Sequence, residues 1–256
     1  MLLTVDIGNT KTALGLFQGD ELKARWALST RPSDTSDDIF LKLSVLLSEG
    51  CHEPEAIDSA CIASVVPVLT DSWRQIARKV TGEEPVVVGP GVKTGLPLRY
   101  DNPAEIGADR VADAVGAVAI EGAPVVVVDL GTATNIEVVD RDGAFRGGVI
   151  APGLGTGAAE LSSHAARLPM VDLSFPERIV GTNTNDAMRS GIMWGEVARI
   201  DGLVNFVFEE LGYKAPVIAT GGYANVIAEL AQTVTRHEPD LTLEGLRIIY
   251  ERNVED

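Results

Sequence analysis

The chain has 256 residues, of which 45% are hydrophobic and 23% charged, the balance of a globular protein able to bury a full core. Its 21 Lys and Arg stand against 37 Asp and Glu, a formal charge of −16. That acidity excludes a general DNA or RNA binder, which needs a basic surface to displace counterions, and leaves room for a local site for one anionic ligand.

The start MLLTVDIGNTKT has no basic leader segment, and Asp6 and Asn9 interrupt its apolar stretch, so no secretory signal is expected. No apolar run approaches the roughly 18 residues of a membrane span. Cys51 and Cys61 show neither C-x-x-C spacing nor a nearby histidine pair, and read as reduced thiols of a cytoplasmic protein. His52, His164 and His237 are scattered and build neither a Ser-His-Asp order nor H-E-x-x-H.

In chain order, residues 2–6, 12–17 and 21–28 read as strands joined by turns rich in Gly, Asn and Asp. Ser36 is placed to cap a helix carrying Ile39, Leu43, Leu46 and Leu47, which Gly50 stops. A short buried strand at 59–63 follows, then a helix from Pro67 to about Val80 and a strand at 85–88. A helix starts near Gly107. Three more strands fall at 125–129, 135–139 and 145–150. Residues 184–211 have the length of one or two helices, in which Gly191, Gly195 and Gly202 permit close helix packing. A strand at 217–220, Gly221-Gly222 and a helix at 223–231 complete the pattern.

The chain repeats itself. L-L-T-V-D ending at Asp6 precedes Ile7-Gly8-Asn9-Thr10, and V-V-V-V-D ending at Asp129, 123 residues later, precedes Leu130-Gly131-Thr132-Ala133-Thr134. Each half reads β-β-β-α-β-α, an α/β pattern with a mixed sheet. The halves are expected at 1–118 and 119–256, with a cleft between them.

A strand that ends in a carboxylate and turns on glycine brings backbone N–H groups near a phosphate. Two such loops suit a polyphosphate gripped from both sides, provided a cation offsets Asp6 and Asp129. Asp109 sits in the first turn of its helix, where the dipole favours a carboxylate, and Arg110 suits a carboxylate or phosphate. Gly153-Leu154-Gly155-Thr156-Gly157-Ala158 fits G-x-G-x-x-A, but it follows hairpin strands rather than a parallel β-α-β unit, which argues against a dinucleotide fold. There is no P-loop motif.

Taken together, these motifs resemble the type III pantothenate kinases, a family of the acetate kinase, sugar kinase, heat-shock chaperone and actin superfamily. The resemblance rests on D-I-G-N-T from Asp6, Y-D-N-P from Tyr100, G-A-D-R from Gly107 and V-D-L-G-T-A-T from Val128. It continues with G-G-V-I-A-P-G from Gly147, A-R-L-P from Ala166, G-T-N-T-x-x-A-M-x-S-G from Gly181 and A-T-G-G from Ala219. It implies a duplicated ribonuclease-H-like (actin-like ATPase) fold and phosphorylation of pantothenate by ATP, the first step towards coenzyme A. It also implies Mg²⁺, a monovalent cation (K⁺ or NH₄⁺) and a homodimer. By position, Asp6, Ile7, Gly8, Asn9, Thr10, Lys11, Thr12 and Ala13 would cradle ATP, with Asp6 near Mg²⁺. Thr132 would contact ATP and Asp129 the monovalent cation. Tyr100, Gly107, Ala108, Asp109, Arg110 and Thr184 would bind pantothenate, with Asp109 as base. Lys11, Asn135 and Glu137 depart from the family pattern, and His164 reads as a surface histidine. The competing functions are a nucleotide-binding regulator without turnover and a kinase for a sugar or acetate.

Overall fold

The computed structural model describes residues 1–50, 52, 56–164 and 168–254. Cys51, Ala166 and Arg167 lie outside them. The chain divides into two compact units, Met1–Ile120 with the segment from Asp240, and Glu121–Pro239.

The first unit runs β1 (Leu2–Ile7), β2 (Lys11–Gln18), β3 (Glu21–Ser29), α1 (Ser36–Glu49), β4 (Ser59–Ser64), α2 (Pro67–Thr81) and β5 (Val86–Val87). A 3₁₀ turn at Pro103–Glu105 then leads into α3 (Ala108–Glu121). The second runs β6 (Val125–Leu130), β7 (Ala133–Val139), β8 (Phe145–Pro152), α4 (Leu154–His164), α5 (Thr184–Leu211), β9 (Val217–Thr220), α6 (Ala224–Ile227) and β10 (Arg236–His237). A last helix, α7 (Leu241–Val254), belongs to the first unit.

Each unit holds one five-stranded sheet, in the orders β3-β2-β1-β4-β5 and β8-β7-β6-β9-β10. The central strands β1 and β6 pair antiparallel with the hairpin strand after them and parallel with β4 and β9. Both are buried throughout except at the aspartate, which is why they read as unbroken apolar runs rather than alternating ones. The outer strand β3 alternates between exposed and half-buried residues.

The first core joins Leu3, Val5 and Ile7 of β1 to Leu43 of α1 and Trp73 of α2. The second joins Val126 and Val128 of β6 to Met193 and Ile200 of α5. Among the described residues, no helix is long and apolar enough to cross a membrane.

Local signals fixed most boundaries. Pro67 opens α2, and Gly82, at φ 77°, ends it. α5 is a single helix of 28 residues from its Asn183 cap to Gly212. The structure corrects other points. Thr35, not Ser36, caps α1: its hydroxyl accepts from the Asp38 N–H (3.3 Å), and the Asp38 carboxylate accepts from the Thr35 N–H (2.9 Å). Ser36 instead donates its hydroxyl to Gln75 (3.0 Å).

The strand expected at 85–88 shortens to β5, and the helix expected at 223–231 to α6. Past α6 the chain continues in tight turns, the Leu230 and Ala231 N–H groups both donating to the Ile227 carbonyl, and the Asp201 carboxylate accepts from the N–H groups of Gln232 (3.0 Å) and Thr233 (2.9 Å) just beyond the expected end. Gly191, Gly195 and Gly202 do not bring helices together: a Cβ at any of them would meet open space. Gly191 and Gly195 line a cavity of about 370 Å³ between α4 and α5.

α7, which the sequence division assigns to 119–256, packs on β1, β4 and β2 of the first sheet. A Cβ at Gly245 would collide with the Ala112 carbonyl of α3, and one at Gly116 with that of Leu241. The Thr242 hydroxyl donates to the buried Asp113 carboxylate (2.6 Å), so α3 and α7 are locked at backbone contact.

Candidate active site

The first sheet ends in the hairpin between β1 and β2. Asp6, half-buried, is followed by a turn in which the Gly8 N–H donates to the Lys11 carbonyl (3.0 Å). Asn9, Thr10 and Lys11 are exposed. Ile7 and Thr12 are buried, and the Thr12 hydroxyl shares a hydrogen bond with that of Thr30 (2.9 Å). Of the predicted ATP loop, the side chains of Asn9, Thr10 and Lys11 therefore face outward, while Ile7 and Thr12 anchor it. Ala13 and Ala63 lie directly beside Asp6 on the neighbouring strands.

Asp109 joins the same sheet end. The Asn102 carboxamide accepts from the Ala104 N–H (3.3 Å) and donates to Glu105 (2.8 Å), shaping the 3₁₀ turn before α3. Gly107 then leaves the space that the Asp109 carboxylate fills, for a Cβ there would collide with Oδ1 and lie 3.5 Å from Val65. The Val65 N–H in turn donates to the Ile7 carbonyl (3.0 Å). Burial pushes the Asp109 carboxyl above the usual range, opposed by the Arg110 N–H (2.8 Å) and the Arg110 charge. Arg110 is buried and Tyr100 half-buried.

The second sheet ends alike, with different neighbours. Asn135 of β7 and Thr220 of β9 flank Asp129. Gly221 follows at φ +92°, and a Cβ there would strike the Asp129 carboxylate. The turn is one residue shorter, closed by the Gly131 N–H on the Ala133 carbonyl (3.0 Å). Thr132 is exposed at its tip. Its carbonyl accepts from the Gly153 N–H (3.1 Å) and the Thr156 hydroxyl (2.7 Å). Gly153 also permits backbone approach, since a Cβ would collide with the Gly131 and Thr132 carbonyls. The G-x-G-x-x-A segment thus serves as the support of the second loop.

A polar network that the motifs did not announce lies under that loop. The Thr134 hydroxyl donates to Glu196 (2.7 Å), and Arg199 donates to the Pro152 carbonyl (2.7 Å) and pairs with Glu196. Its only sequence signal is polar residues on a helix face that is otherwise apolar. Thr184 is exposed in the first turn of α5. His164 is exposed and pairs with Glu160 (3.0 Å) on its own helix, as a surface histidine does. Among the described residues, no three His, Cys, Asp or Glu side chains converge on one metal position. Buried Cys61 has its thiol pushed up to about 12, a structural rather than reactive thiol.

The sequence profile of the family described as type III pantothenate kinase matches residues 2–205. The chain belongs to that family. Relatives bearing the name type III pantothenate kinase from Moorella thermoacetica and Thermomicrobium roseum are 43% and 44% identical, over 99% and 98% of this chain and 100% and 97% of their own.

Among solved structures, a conserved Baf-family protein from Campylobacter jejuni matches with a TM-score of 0.60 at 21% identity over 98% of both chains. The ROK hexokinase from Thermus thermophilus matches at 0.53 and 12% over 98% of this chain and 97% of its own. Those two likenesses concern the fold, a duplicated actin-like architecture, as the resemblance implies, of two mixed sheets, as the repeat suggests. A type III pantothenate kinase is a phosphotransferase, and the family's reaction is ATP-dependent phosphorylation of pantothenate in coenzyme A biosynthesis.

Proposed function

We propose that this chain phosphorylates pantothenate with ATP and that Asp109 is the base that accepts the hydroxyl proton. The observation that carries this reading is the room Gly107 leaves for a half-buried carboxylate beside Val65, at the sheet end that carries the Asp6 loop. Phosphoryl transfer depends mainly on positioning and charge neutralisation. Its proton leaves late, so a carboxylate suffices as base, and burial makes this one a stronger acceptor.

In this reading the loop from Asp6 to Ala13 holds the ATP phosphates, chiefly through the turn at Gly8–Lys11, and Thr132 contacts the nucleotide. Tyr100, Gly107, Ala108, Arg110 and Thr184 bind pantothenate, with the Arg110 guanidinium suited to a carboxylate.

Two cations fit the residues present. Asp6 supplies one carboxylate at the strand end, between Ala13 and Ala63 of the neighbouring strands, and waters and phosphate oxygens would complete a Mg²⁺ shell there. Mg²⁺ there would neutralise charge on the transferring phosphate. Asp129 lies with the Asn135 amide, the Thr220 hydroxyl and the cradle at Gly221, an oxygen-rich set suited to K⁺ or NH₄⁺.

The homodimer belongs to this reading too. Ile150, Met170, Ile179, Val180 and Phe206 of the second unit are all more than 60% exposed, large apolar side chains that a second copy of the chain would cover. A reaction that consumes ATP is at home in the cytoplasm.

The test is a coupled assay of purified protein with ATP, pantothenate and Mg²⁺, with and without K⁺, beside a panel of sugars and acetate. Turnover of pantothenate that needs Asp109 is expected. Preference for a sugar, or wild-type rates from Asp109→Asn, would overturn the assignment.

A further inference from the structure

Thr184 stands in an exposed first turn, the part of a helix that frays most easily. The segment before α5 is tied back over that turn. Arg189 donates from Nε to the Ser174 carbonyl (3.1 Å), and from Nη2 to the Ser174 hydroxyl (2.7 Å) and the Phe175 carbonyl (3.0 Å). Its Nη1 donates to Asp186 Oδ1 (3.2 Å). Asp186 is also held from the other side: its N–H donates to Asn183 Oδ1 (2.9 Å), and its Oδ2 accepts from Asn183 Nδ2 (2.8 Å).

Two further contacts fasten the same segment. The Ser190 hydroxyl donates to the Ile179 carbonyl (2.5 Å), and Gly181 packs so near the Ala187 backbone that a Cβ would collide. Phe175 meets Trp194 edge-on with ring centres 4.8 Å apart.

We infer that Arg189 is a positioning residue for pantothenate, acting through Asp186 and Asn183 to fix the turn from which Thr184 presents its hydroxyl. The inference rests on the reading that Thr184 binds pantothenate. A guanidinium is suited to the task because its fixed fork of donors reaches two carbonyls, a hydroxyl and a carboxylate together, which a lysine ammonium on a flexible stem does not. Arg189 itself stays about a quarter exposed and reaches its partners from the flank of the helix. Its removal should loosen the turn rather than empty the core.

The experiment measures steady-state kinetics and thermal melting of Arg189→Ala, Arg189→Lys, Ser174→Ala and Thr184→Val. A positioning role predicts that Arg189→Ala raises the pantothenate KM by about tenfold while kcat and the ATP KM stay within about twofold. Arg189→Lys should fail to restore it, and Ser174→Ala should show a smaller rise of the same kind. An unchanged pantothenate KM, or equal rises in both KM values, overturns the inference. If Arg189→Ala does not fold, the lysine and Ser174 variants decide: an unchanged pantothenate KM in both overturns it. Thr184→Val separates the two levels. If it raises the pantothenate KM and the Arg189 variants do not, only the positioning role is lost. If it has no effect, the Thr184 reading fails and the inference with it.

Discussion

The ends of the two sheets are built alike and furnished differently. β1 and β6 have the same length and burial along their course, and each places an aspartate before its last residue. On the first sheet that aspartate lies between Ala13 and Ala63; on the second it lies between Asn135 and Thr220, against the cradle of Gly221. The first turn is one residue longer. The scaffold has been kept in both copies while the residues to either side of the carboxylate have changed. In the proposed reading the first aspartate serves Mg²⁺, whereas the second, beside an amide and a hydroxyl, serves a monovalent ion.

The largest expected effect concerns the group that has joined only the first sheet. Asp109→Asn should lower kcat by about 10²–10⁴-fold with little change in the ATP KM, and a loss below tenfold would remove Asp109 as base. The comparison itself is broken or upheld by Asp6→Asn and Asp129→Asn. The first should raise the Mg²⁺ concentration for half-maximal rate by about tenfold or more, the second that for K⁺. A shift of both ions in both variants would erase the distinction.

Gly221→Ala forces a side chain into left-handed backbone and into the Asp129 carboxylate. A destabilisation of about 1–3 kcal/mol is expected, read as a lower Tm together with a weaker K⁺ response. Gly8→Ala, whose Cβ would lie 3.0 Å from the Lys11 carbonyl without a positive φ, should cost less.

The smallest effect is one of stability. Burial raises the Asp109 pKa in the folded chain, so the native state holds that proton to higher pH than the unfolded state, where the value is about 3.9. The contribution is fully present below the unfolded value and is lost as pH rises through the folded one. Asp109→Asn should therefore melt above the wild type at pH 7, with the gap closing as pH falls towards 4. An equal gap at both pH values would contradict the assigned cause.

Much of this was legible in the sequence because it is local. V-V-V-V-D and L-L-T-V-D share an apolar run ending in aspartate, and the residues of the two hairpin turns follow their strands directly. The span 184–211, read from its pattern, is that of α5. What escaped depends on pairing across distance. That Asn135 and Thr220 share the face of Asp129 requires the strand register. The contact of Gly245 with Ala112 and the bond from Thr242 to Asp113 join residues more than 120 positions apart. The partners of Arg189 sit in a segment with no periodicity to announce it. At the start of α1 two hydroxyl residues, Thr35 and Ser36, stand in a row, and only the structure separates the cap from its neighbour.

The membership of α7 also sets an order of events during synthesis. The second unit is one continuous stretch, Glu121–Pro239, whereas the first is closed only by residues made after it. As the chain leaves the ribosome, strands β1 to β5 are made first, yet the face that α7 covers stays bare until the second unit has emerged. The later-born unit can therefore finish folding first, and the earlier one is exposed to aggregation for as long as its last helix is still to come.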